Sequence, residues 1–509
     1  MALTSRKYPN SKPLSNKTPL YFAVMLALSV QALPAHAEDL LSIYRQALTQ
    51  DTVLEAAKFM LDAAHQKIPQ ARAGFLPTVN WTVNRARQSA ITKLTPAETE
   101  KDTVANTNPE LVQDPITDTT EIKKEAEPLD RVVRTYGWTL QLTQPIIRPV
   151  AWITYAQAGA QVRQAQAQYN LVQQDFVLRV AQSYFDVVVA DNNVRVAVAQ
   201  DSSVNMQLTL ARRNFEVGTS TVTDVHEAKS RFELSKAQRI GAENELQAKL
   251  AELERITGKL PKKLAPLQTQ VMPPLPSPLD LSSWMTKAKE QNPMVRVQTE
   301  AQEVASKEIS KNRAGHLPTL DFTASRSSNY SSGSASSPTD LETRAKSNQF
   351  SLQLIVPIYS GGVIDSRVKE SIAILNKANA ELESARRQVA TMARQAFSGV
   401  MNGHAQIEAL TAAVTASKSS VDANKIGYKI GTRINIDVLN AEQQLFAAMR
   451  DLSKARVETF MQGLRLKASI GVLSEADLVE LNQSLDLAQN DVKMQNNFDV
   501  PAQEKNKTP

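Results

Sequence analysis

The 509-residue sequence predicts a mainly α-helical protein with a β part suited to a membrane barrel, built as two copies of one unit. Three observations carry this expectation. A stretch, Phe215-Glu-Val-Gly-Thr-Ser-Thr-Val-Thr-Asp-Val-His-Glu-Ala-Lys229, returns 213 positions later as Tyr428-Lys-Ile-Gly-Thr-Arg-Ile-Asn-Ile-Asp-Val-Leu-Asn-Ala-Glu442. The 24 Pro and 16 Gly are unevenly placed and leave runs of about seventy residues nearly unbroken, which favours long helices over a packed α/β enzyme. Between the helical patterns, twice, the hydrophobic period changes from 3.6 to 2.

Residues 1–37 contain Arg6, Lys7, Lys12 and Lys17, then an apolar run from Leu20 to Val30, then Ala35-His-Ala37. A basic region, a short apolar segment and small residues at a cleavage site make a signal peptide, so the mature chain is expected to start near Glu38. Removing those four charges takes the net charge from +6 to +2, so the basic balance is no argument for nucleic acid. With no cysteine there is no disulfide framework, zinc thiolate site, thiol nucleophile or lipid-bearing N-terminal Cys. Past the signal no run of 18 apolar residues offers a transmembrane helix, so any membrane insertion must be as a β-barrel.

The first repeat, 38–258, opens with an Ala-rich amphipathic pattern from Leu40 to Ala73, ending at Arg72-Ala-Gly-Phe-Leu-Pro-Thr78. The phrase returns 241 positions later as Arg313-Ala-Gly-His-Leu-Pro-Thr319, after a second helix starting near Leu281. After each phrase come alternating strands: Val79, Trp81 and Val83 against Asn80, Thr82 and Asn84; Leu320, Phe322 and Ala324 against Asp321 and Thr323. The returning strands carry Tyr136, Trp138, Leu140 and Leu142, then Phe350, Leu352, Leu354 and Val356. One apolar, aromatic-rich face and one polar face suit a barrel wall between lipid and water, and alternation alone fits a soluble half-buried hairpin equally. Trp81, Tyr136, Trp138, Phe322 and Phe350 fit an interfacial belt or plain strand packing.

The first turn, 92–130, holds ten acids, four lysines and four prolines and reads as an irregular solvated loop. The second, Arg326 to Lys346, is Ser-rich and shorter. The longest helices follow Pro145-Ile-Ile-Arg-Pro149 and Pro357-Ile-Tyr-Ser-Gly-Gly362. About 65 residues at 1.5 Å each make a rod on the order of 100 Å, whose narrow Ala-rich seam must pack lengthwise on other helices. Partner helices are expected from Thr223 to Thr257 and from Asn435 to Ile470, with glycine stops at Gly218, Gly258, Gly431 and Gly471. Six prolines in 259–283 rule out a continuing helix and mark a linker before the second repeat, 284–485. The tail, 486–509, is Asn-, Gln- and Lys-rich and reads as flexible.

Two copies give four strands, which cannot close a barrel alone; pooled strands from several protomers would. The ordered set resembles the TolC family of outer-membrane export ducts: Leu-Pro-Thr before the strands, Gln353-Leu-Ile-Val-Pro-Ile-Tyr-Ser-Gly-Gly362 after them, and Tyr428 to Glu442 at the turn. The resemblance covers about Leu40 to Leu485. It implies a homotrimer in the outer membrane of a Gram-negative bacterium, extending into the periplasm, with four strands per subunit in one 12-stranded transmembrane β-barrel. Antiparallel coiled-coil helices would continue it as an α-helical barrel. The implied partners are outer-membrane lipid, a periplasmic adaptor and an inner-membrane transporter, ABC or proton-driven, with no cofactor and no nucleic acid.

The resemblance places a periplasmic gate at Thr223 and Asp224 of the first copy and at Tyr428 and Arg433 of the second, with groups bridging neighbouring coils. Helix capping by Asp224 or Asp437 is the plain alternative. Asp437 matches a ring of carboxylates across the pore, where a second acid is often found one turn on; here stands Asn440, which halves the ring's charge. Gly218, Thr219, Gly431 and Thr432 are the turns implied to meet the adaptor. His65, His226, His316 and His404 form no spaced pair on one helix face, so no metal site is expected. No nucleophile, acid–base set or phosphate loop stands out, so the protein is not expected to be an enzyme. The rivals are a trimeric coiled-coil envelope fibre without a pore and a soluble periplasmic enzyme.

Overall fold

The computed structural model describes residues 38–92, 129–261, 263–268, 271–333 and 341–486. The signal segment, nearly all of the 92–130 loop and the tail beyond 486 lie outside the described residues. The chain forms two compact units: one from Met1–Leu54, Gln173–Trp284 and Met392–Pro509, the other from Glu55–Val172 and Met285–Thr391.

The second of these units carries the strands. Helices α2 (Thr52–His65) and α3 (Lys67–Ala73) lead to β1 (Thr78–Thr92), which turns back as β2 (Leu129–Ile147). In the other copy α6 (Leu281–Gln291) and α7 (Pro293–Arg313) lead to β3 (Thr319–Ser332) and β4 (Glu342–Ile355). All neighbours in the β1-β2-β3-β4 sheet are antiparallel, with Val83 opposite Trp138, Tyr136 opposite Tyr330 and Ala324 opposite Phe350. Because side chains alternate, that register gathers Val79, Trp81, Leu140, Phe322, Phe350 and Leu352 on one face. Several of these stand open, Trp81 at 70% and Phe350 at 75% exposure. The other face is Thr-, Ser-, Asn- and Gln-rich, with hydroxyl ladders such as Thr323 Oγ1 to Ser351 Oγ at 2.6 Å and Ser327 Oγ to Ser347 Oγ at 2.8 Å. The antiparallel ladder carries the second hairpin beyond the expected limits, pairing out to Ser332 opposite Glu342. Residues 326–332 and 342–346, read from the Ser-rich composition as part of an Arg326–Lys346 loop, are strand.

Where strands pass to helix, Arg148 pairs with Asp321 at 2.8 Å and the Gln144 amide donates to the Phe75 carbonyl at 2.9 Å. The Phe75 ring meets Trp152 edge-on at 5.1 Å.

The long helices are α4 (Pro149–Glu216) and α8 (Val363–Lys429), 68 and 67 residues long. In the first unit they are joined by α1 (Leu40–Gln50), α5 (Val222–Thr257), α9 (Asn435–Ser469) and α10 (Glu475–Asn482). The single helix expected over Leu40–Ala73 is three. It breaks at Asp51, whose carboxylate accepts from the Leu54 amide at 2.7 Å and pairs with Arg179 at 2.8 Å, and again at Gln66. In the second copy Asn292 caps Pro293, its side chain accepting from the Met294 amide at 2.7 Å. Val204, Leu208, Ala211, Ala228 and Leu439 form one apolar cluster joining α4, α5 and α9; Ile407, Leu452 and Ala455 form another between α8 and α9. Small residues at the seams let long helices approach closely.

The proline-rich segment between the copies is non-helical yet tied down. Glu38 pairs with Leu264, Leu267 with Leu485, and the buried Tyr184 hydroxyl donates to the Ala265 carbonyl at 2.7 Å. Burial pushes the Tyr184 phenol well above its ordinary range, keeping it a donor. Among the described residues no helix is long and apolar enough to cross a membrane.

Candidate functional site

The recurring stretch forms the turn of each long hairpin. Gly218 and Gly431 take φ of +78° and +79°, the left-handed geometry that ends α4 and α8. Behind them Thr219 N donates to Asn214 O at 2.8 Å and Thr432 N to Gly427 O at 2.9 Å, using carbonyls left over at the helix ends. Gly218, Thr219, Gly431 and Thr432 are all exposed.

Beyond the turn the copies diverge. Helix α5 begins with a capping box: Thr221 Oγ1 accepts from Asp224 N at 3.2 Å, and Asp224 accepts from Thr221 N at 3.0 Å and from the Ser220 hydroxyl at 2.7 Å. The Ser220 hydroxyl, then the Thr221 amide, hold the Asp224 carboxyl below its ordinary range. Within one chain Asp224 thus caps its own helix, while Thr223 beside it is exposed. In the second copy the capping position is Ile434, which has no side-chain acceptor. Asp437, the counterpart of Asp224, instead faces Arg433 at 3.7 Å. Gly427 makes room for this, since a Cβ there would meet Arg433 Cγ at 2.7 Å.

Tyr428 bridges the two copies, its hydroxyl accepting from Asn214 Nδ2 at 2.9 Å. Asn440 does the same on the other helices: Arg231 donates to its side-chain oxygen at 3.2 Å and to Gln443 at 2.9 Å. Within one chain the structure therefore brings Arg433 to Asp437 and Tyr428 to Asn214, and gives Asp224 a capping role.

Sequence reasoning named neither Asn214 nor Arg231, because the duplication aligns Asn214 with Gly427 and hides it as a difference between copies. It also missed a buried polar cluster. Glu442, 2% exposed, accepts from Ser203 at 2.6 Å and pairs with Lys425 at 2.8 Å. The available signal was an acid in an otherwise apolar helical seam at the end of the recurring stretch. Among the described residues no group of three His, Asp or Glu side chains could hold a metal ion.

Duplicated long hairpins ending in a polar turn, with a four-stranded sheet bearing one open apolar face, define a class: the outer-membrane channel. The family profile for outer membrane efflux proteins matches residues 43–259 and 284–472, and the chain belongs to this family. It is 30% identical over 465 residues to the proteases secretion protein PrtF of Dickeya chrysanthemi, covering 90% of this chain and 94% of PrtF. It is 30% identical over 472 residues to outer membrane protein TolC of Vibrio cholerae, covering 91% of this chain and 98% of that protein. The crystal structure of the Campylobacter jejuni CmeC outer membrane channel shares the fold, with a TM-score of 0.67 at 16% identity over 88% of this chain and 90% of CmeC. The protein is an export channel of the Gram-negative outer membrane.

Proposed function

We propose that the chain is the outer-membrane duct of a tripartite export system. As a homotrimer it passes protein or small-molecule cargo from an inner-membrane transporter, through a periplasmic adaptor, to the exterior. The carrying observation is the sheet: four strands with an exposed apolar face and outer strands β1 and β4 left as edges. Open edges in hydrocarbon leave backbone groups unpaired, so three subunits pooling twelve strands is the arrangement that satisfies them. A pore-free coiled-coil fibre has no use for such a sheet.

The duct itself is passive. Cargo is driven by the inner-membrane machine, and the adaptor, meeting the exposed turns at Gly218, Thr219, Gly431 and Thr432, shifts the mouth from closed to open. Thr223, Asp224, Tyr428 and Arg433 form the gate, and Asp437 supplies a carboxylate ring. Tyr428 and Arg433 are the residues to cut: Tyr428 ties α8 to Asn214 of α4, and Arg433 in the turn meets Asp437 of α9, directional polar contacts that a docking partner can exchange. Tyr428→Phe with Arg433→Ser is expected to raise single-channel conductance in planar bilayers; an unchanged conductance sinks the gate assignment.

A further inference from the structure

The apolar face of the sheet ends on cations, on every strand and at one end only. Passing along that face toward the hairpin turns, Val83 of β1 is followed by Arg85 and Arg87, and Tyr136 of β2 by Arg134. On β3 Ala324 is followed by Arg326, and on β4 Phe350 gives way to Asn348 and then Lys346 and Arg344. All six cations are exposed. Against them the described side chains of this face offer one acid, Glu342. The opposite face offers Asp321, which Arg148 already holds.

The change from apolar to basic does not lie straight across the register. Arg85 stands opposite Tyr136, whereas Arg326 stands opposite Leu140. The boundary steps along the strands between the first hairpin and the second, as a membrane surface does when it cuts tilted barrel strands.

Snorkelling side chains alone would place cations at both edges of an apolar band. Here the helix-proximal edge has none on the strands beyond Arg148, which is paired. A one-sided row needs a one-sided ligand. The two leaflets of a Gram-negative outer membrane differ in this respect: the outer one is built of a glycolipid whose sugar phosphates sit at the hydrocarbon boundary. A cation on the lipid face is costly at mid-depth and tolerated near the interface, where a phosphate can meet it. Five of the six are Arg, whose planar fork matches phosphate oxygens in pairs.

We propose that Arg85, Arg87, Arg134, Arg326, Arg344 and Lys346 form a rim that binds the phosphate groups of the outer-leaflet glycolipid. This rests on the outer-membrane duct reading, with the hairpin turns outside the cell. The rim fixes the depth of the barrel and anchors a shell of glycolipid around it.

The test uses the full-length purified protein in detergent, with diphosphoryl lipid A, dephosphorylated lipid A, phosphatidylglycerol or inorganic phosphate added while thermal unfolding is followed. Diphosphoryl lipid A is expected to raise the midpoint most. Changing all six residues to Gln should abolish the shift, and changing Arg326 and Lys346 alone should reduce it, with apparent binding weakening about fivefold per cation removed. An Arg→Lys series, which keeps the charge but loses the planar fork, should give a shift between those of wild type and the Gln variant, and guards against misfolding of the latter.

Equal shifts for wild type and the two-site Gln variant overturn the proposal. So do equal shifts with phosphatidylglycerol, a shift with free phosphate alone, or no shift at all. Planar-bilayer conductance on the same samples separates the two readings. A wild type that does not conduct refutes the duct, while a conducting protein without a lipid A shift refutes the rim alone.

Discussion

At the scale of single residues, the two long-hairpin turns depend on a few polar groups whose partners differ between the copies. Thr221 and Asp224 close a capping box on α5, and Thr221→Ala should cost about 1 kcal/mol in thermal or denaturant unfolding. The same pair sets a pH response. Asp224 is held below its ordinary pKa of 3.8, chiefly by Ser220, so its contribution is present above that value and disappears as pH falls through the lowered one. The first hairpin turn should therefore become progressively open to pepsin as pH falls below 3.8, and Asp224→Asn should remove the dependence. Glu442 is the other sensitive point. Glu442→Ala leaves Lys425 and Ser203 facing a cavity and should destabilise the protein by about 2 kcal/mol, less than a fully enclosed pair because Lys425 is 40% exposed. These roles were only partly legible in the sequence. Asp224 and Asp437 align perfectly in the repeat, and nothing in their spacing says that one caps a helix while the other meets an arginine. The residues that decide it, Thr221 against Ile434 and Ser220 against Arg433, are those where the repeat fails.

At the scale of elements, glycine stops, proline-bounded strands and long seams were readable, because each depends on local backbone chemistry or on period. Helix α9 begins at the expected Asn435, and α5 one residue before the expected Thr223. The interruption at Asp51 was not readable: an acid on a helix surface looks ordinary until Arg179, distant in sequence, is seen beside it. The second hairpin was underestimated for a related reason. Serine is a weak strand former by itself, and only the cross-strand hydroxyl pairs show what it does there. Gly431 has a different sensitivity from most residues of these elements. A Cβ there meets nothing within 4 Å, so Gly431→Ala should cost only the left-handed backbone penalty, about 1 kcal/mol, seen as a small drop in the unfolding midpoint.

At the scale of the whole molecule, duplication is the economy of the design: one folded unit, written twice, supplies both hairpins of the sheet and both long coils. Ion preference belongs here, since the carboxylate ring of the proposed trimer would form only when protomers assemble. Asn440→Asp restores the second acid and should shift reversal potentials toward cations; it also turns the Arg231 contact into an ion pair, so the change in selectivity should be smaller than a free carboxylate gives. The missing cap on α9 has a further consequence. In the proposed trimer, six hairpin ends around a threefold axis would not behave as six equivalent blades. Because α5 is latched by its own capping box and α9 is started by Ile434, they would form three stiff and three yielding blades in alternation. Aperture change in such a ring is threefold rather than sixfold, with the fixed blades serving as fulcrums, and backbone amides at the start of α9 should exchange with deuterium before those at the start of α5.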